Sequence, residues 1–127
     1  MAPSKITILR ESLTCAVAQL DELATVANPS DVERDALIQR FEYTFELGWK
    51  YLKALLADQG VLEHSPAKVI KESYRVELID DLELWLTLLE KRNLTVHMYS
   101  QEIAESVLPF SPPLVTATRQ LLRSTNE

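Results

Sequence analysis

Leu9, Leu13, Val17, Leu20 and Ala24 recur three and four residues apart and predict a helix from about Ser4 to Ala27. The polar segment "NPSDVE" breaks that period. Within it Ser30, followed three residues later by Glu33, reads as a capping box that opens a second helix over 31–59, with Gly60 as its stop. In this second segment Leu37, Phe41, Phe45, Gly48, Leu52 and Leu55 form one apolar stripe. Ile38, Trp49 and Leu56 widen it on one side, and Leu47, Tyr51 and Ala54 on the other. Only Asp35, Gln39, Glu42, Glu46, Lys50 and Lys53 form a polar strip. A helix so apolar around its circumference packs on several sides, so 31–59 is expected to be the central helix. Gly48 costs such a helix about 1 kcal/mol, which suits a close approach by another backbone.

Four further segments follow. Ser65 and Pro66 start a third helix as N-cap and first helical residue. "IDDLE" starts a fourth, with Asp80 and Glu83 as the capping pair and Leu82, Trp85, Leu86 and Leu89 on one face. A fifth begins near Ser100 and stops before "PFSPP", and a short last helix covers roughly Leu114 to Arg123. The expected fold is all-α, an up-and-down antiparallel bundle of about five helices in a single domain, 1–127.

Composition narrows the chemistry. Two glycines in 127 residues and abundant helix formers leave little room for strand. A lone cysteine, Cys15, gives neither an internal disulfide nor a zinc cluster and agrees with a reducing, cytoplasmic setting. The apolar runs are too short to span a bilayer, and "MAPSKITILRES" meets charge too early for a signal peptide. A net charge of −6 argues against a surface that coats nucleic acid, though not against a local basic site. His64 and His97 lack metal-ligand spacing, and there is no P-loop, dinucleotide fingerprint or nucleophile elbow, so neither metal nor cofactor is expected.

The polar residues of "KRNLTVHMYS", 91–100, concentrate the remaining possibilities. If the fourth helix continues through residue 99, Asn93 and Val96 prolong its apolar stripe, and Arg92 and Tyr99 share one flank. His97 falls on the other flank, about 140° from Arg92. One helix can hardly aim both at one atom, whereas two copies about a two-fold axis could set the Arg of one beside the His of the other. The plainer reading is a polar helix end that caps carbonyls. Asn93, at a core position, needs hydrogen-bond partners. Arg40 lies on a flank of the central helix away from the polar strip, so it either snorkels or meets a carboxylate. Glu46 and Lys50 read as an ordinary surface pair.

"RDALIQRFEYTFELGWKYLKALL", "SPAKVIKESYRVELIDD", "WLTLLEKRN" and "HMYSQEIAESV" resemble, in order, the blocks of the nucleotidyltransferase substrate-binding-like family of the HEPN superfamily. The resemblance covers about residues 5–108. It implies a helical partner of a minimal nucleotidyltransferase, the toxin half of a toxin–antitoxin pair, acting as a homodimer. It further implies metal-independent cleavage of RNA, with Arg92 and His97 catalytic, Asn93 and Arg40 supporting or orienting them, and Tyr99 accepting AMP from the partner enzyme to silence the toxin. Toxin relatives carry an arginine, four residues, a histidine, one residue and a tyrosine, the spacing of Arg92, His97 and Tyr99. Val96 and Met98 stand where related sequences often have polar residues. The alternative is a non-catalytic substrate- or nucleotide-binding or adaptor subunit of the same complex.

Overall fold

A computed structural model describes residues 3–97 and 100–125, with the backbone alone of His97. Among the described residues there are α-helices and one 3-10 turn, and no strand. The helices are α1 (Lys5–Ala24), α2 (Asp31–Asp58), α3 (Pro66–Arg75), α4 (Leu82–His97), α5 (Gln101–Val107) and α6 (Ser111–Ser124). The all-α bundle expected from the sequence is the observed fold.

Local chemistry sets the boundaries. Ser4, Ser30, Ser65 and Ser100 each cap the helix that follows by accepting a backbone N–H with the side chain. Both halves of the capping box at Ser30 and Glu33 are formed. The fourth helix is capped differently from expectation. Asp81, not Asp80, accepts the N–H of Leu84 at 3.0 Å, while Asp80 accepts from the Gln120 side chain of α6 at 2.9 Å. The last helix starts three residues before Leu114, because Pro112 and Pro113 fall in its first turn, where no N–H is needed.

The long α2 is central, packed against α1, α3, α4, α5 and α6. Its Leu37, Phe41, Phe45, Leu52 and Leu56 join Leu13 and Leu20 of α1, Ile70 of α3, Trp85 and Leu88 of α4 and Leu114 and Leu121 of α6 in one buried cluster. Gly48 faces the indole of Trp85, where a Cβ would sit 3.7 Å from the ring. The close neighbour is thus a side chain and not the backbone expected, and it leaves room for a methyl group. No helix among the described residues is long and apolar enough to cross a membrane.

Candidate functional site

The inner strip of α4 runs through Trp85, Leu88 and Thr95, all buried, with Arg92 on the same side. Turning inward brings the guanidinium of Arg92 against α2. Its Nη1 donates to Glu46 Oε2 at 2.9 Å, and its centre lies 5.8 Å from the Phe45 ring centroid. Phe45 in turn meets Trp85, with ring centroids 6.2 Å apart. Only 17% of the Arg92 side chain is exposed, and its Nε is buried without a hydrogen-bond partner.

Glu46 is the hub of this arrangement. Besides Arg92, it accepts from the indole N–H of Trp49 at 3.0 Å and pairs with Lys50 at 3.3 Å. Burial opposes ionisation of its carboxyl, but Trp49, Lys50 and Arg92 outweigh burial and hold it below the usual carboxylate range. A fixed cation, held by a carboxylate and backed by an aromatic face, is a stabiliser for negative charge. The Glu46–Lys50 pair read from the sequence is present, but the cross-helix bond to Arg92 was not visible there. The available signal was position: Glu46 lies between Phe45 and Trp49, both buried, on an otherwise polar strip.

The other residues singled out by sequence fall apart in space. Asn93 is exposed, not buried as the extended stripe predicted, and lines a shallow hollow of about 350 Å³ with Leu86, Leu89, Glu90 and Leu94. The reason is a change of inner face: Leu88 and Thr95 point to the core, so Asn93 and Val96 turn outward. Val96 is 54% exposed and Leu94 40%. Arg40 faces α1 instead of α4, donating to the Gln19 carbonyl at 2.6 Å and lying 3.6 Å from Glu22. It therefore meets a carboxylate and a carbonyl on the α1 seam. His97 ends α4, and the position of its side chain lies outside the described residues, as do Met98 and Tyr99.

Comparison with known proteins agrees with this fold and these blocks. A protein of Thermus thermophilus, solved by crystallography, is 39% identical, with a TM-score of 0.85 over 91% of this chain and 99% of its own. A Haemophilus influenzae (strain Rd) protein named "Probable ribonuclease HepT" is 29% identical over an alignment 105 positions long that covers 76% of this chain and 72% of that protein. The model of the family described as "Nucleotidyltransferase substrate binding protein like" matches residues 10–122, which include α2 with Glu46 and α4 with Arg92. The chain therefore belongs to the nucleotidyltransferase substrate binding protein like family.

Proposed function

We propose that this chain is the helical subunit of a small nucleotidyltransferase complex, the toxin half of a toxin–antitoxin pair, and that it cuts RNA at a site shared by two copies. The observation that carries the reading is the immobilised Arg92, held by Glu46 and Phe45, with the exposed Val96 one turn further along the same side of α4. An apolar side chain left open beside a fixed cation suits burial against a second copy. Family membership supports the pairing with a nucleotidyltransferase. The name carried by the Haemophilus influenzae relative supports ribonuclease chemistry.

In this reading His97 takes the proton of the ribose 2′-hydroxyl, or gives one to the departing 5′-oxygen. The 2′-oxygen bonds to phosphorus as the P–O5′ bond breaks, leaving a 2′,3′-cyclic phosphate and a 5′-hydroxyl end. Arg92 of the other copy neutralises the charge that gathers on the non-bridging oxygens. Asn93 orients the pair, and Arg40 supports the central helix on which Glu46 sits. Tyr99 receives AMP from the partner enzyme: its phenol oxygen attacks the α-phosphorus of ATP, and pyrophosphate leaves. The added bulk and negative charge close the site.

One observation favours a second reading. Arg92 is already paired with Glu46, and Val96 gives the neighbouring surface an apolar character. That arrangement also fits a non-catalytic adaptor whose α4 face only holds its dimer or presents substrate to the transferase. Incubating a single-stranded RNA with the protein in excess chelator separates the two. The ribonuclease reading expects cleavage to cyclic phosphate ends that is lost in Arg92→Ala and His97→Ala. Equal inertness of wild type and both variants leaves the adaptor.

A further inference from the structure

The seam between α1 and α6 holds a second cationic feature, with no lining residue in common with the Arg92 site. A hollow of about 320 Å³ opens there among Arg10, Thr14, Arg119 and Arg123, over an apolar floor that includes Val17 and Leu122. Among the described residues no acidic one lines it, although Asp21 pairs with its Arg119. This is unexpected in a chain of net charge −6 with only 13 lysines and arginines.

Arg10 is the built part of the site. Its Nη1 donates to the hydroxyl of Tyr51 at 2.8 Å and to Thr125 Oγ1 at 3.2 Å, and its Nη2 donates to the Leu122 carbonyl. Tyr51 is buried, and its hydroxyl lies 2.7 Å from Thr125 Oγ1, which donates onward to the Leu121 carbonyl. Two helices, α2 and α6, with Thr125 just beyond α6, thus fix the guanidinium through acceptors that are all neutral among the described residues. Arg119 is steadied from the side by Asp21 at 2.8 Å, while Arg123 is exposed. Among the described residues neither Arg10 nor Arg123 forms an ion pair. A half-buried cation with no counter-charge favours an anion beside it.

We propose that this hollow binds a small phosphate monoester, its phosphoryl oxygens on the arginines and its organic part on the apolar floor. Guanidinium groups match phosphate oxygens in geometry and charge, and the two that carry no ion pair among the described residues, Arg10 and Arg123, match the charge of a dianion. The open hollow has room for one small molecule, and the net negative charge of the chain disfavours a long polyanion.

Isothermal titration of the full chain with phenyl phosphate, inorganic phosphate and a short single-stranded RNA, near pH 7.5 and at moderate salt, tests the proposal. Phenyl phosphate is expected to bind, more tightly than inorganic phosphate. Its affinity should fall about tenfold or more in Arg123→Ala, the loss of one charge-assisted contact. Arg123 is exposed and makes no described bond within the fold, so this variant folds even if Arg10→Gln does not. Arg75→Ala, whose described partner is Glu72 on α3, should bind as wild type. Absence of binding, or undiminished affinity in Arg123→Ala, overturns the site. Equal affinity for inorganic phosphate overturns the ester. RNA that displaces phenyl phosphate overturns a small-molecule ligand.

Discussion

Gly60 and Glu77 occupy equivalent positions just after α2 and α3. Both have positive φ, 82° and 64° respectively. In each case the next residue reaches back across the helix end, Val61 N–H to the Leu56 carbonyl and Leu78 N–H to the Ser73 carbonyl. Glycine adopts this left-handed backbone freely, whereas glutamate does so at a cost of about 1 kcal/mol. Glu77→Gly is therefore expected to raise stability by up to about 1 kcal/mol, and Gly60→Ala to lower it by about as much, both read by chemical denaturation. The same pair shows what a sequence discloses at this scale. Gly60 announced its turn, while Glu77 adopts the conformation because packing on both sides imposes it. Asn93 escaped for a related reason: a one-residue shift of the inner face of α4 converts a core position into a surface one, and periodicity does not resolve that shift.

At the scale of elements, helix starts were legible because serine caps act within four residues. The exceptions are α6, which no side chain caps and which starts three residues before the expected position, and α4, where two adjacent aspartates offer the same chemistry and tertiary contact decides. Gln120 of α6 engages Asp80, leaving Asp81 to cap. Asp81→Ala should cost about 1 kcal/mol, and Asp80→Ala clearly less, in thermal melts of the two variants. The α2–α4 link was not legible at all, since Glu46 and Arg92 are 46 positions apart and only the packing of two helices joins them. Because Glu46 has a folded pKa below its ordinary value of 4.5, its ionised form is favoured by folding. That stability is fully present above pH about 4.5 and is lost as pH falls through the lower folded value. Glu46→Gln should cost about 1 kcal/mol at neutral pH, a modest value because Glu46 is 35% exposed, and should flatten the acid limb of stability against pH. An unchanged acid limb would show that the carboxylate is not held by Trp49, Lys50 and Arg92 in solution.

At the scale of the molecule, a bundle built around α2 leaves Val96, near the end of α4, exposed among the described residues. The fold and the family blocks were readable because they rest on periodicity and contiguous sequence. The candidate site was readable only as a set of residue types, because its proposed completion involves two chains. Mixing two inactive variants tests that claim most directly. If Arg92 of one copy serves His97 of the other, Arg92→Ala and His97→Ala chains that exchange subunits form mixed dimers with one intact site each. Cleavage of single-stranded RNA in chelator should then return to about a quarter of the wild-type rate, although each variant alone is inert. A mixture as inert as its components, beside an active wild type, would contradict the shared site.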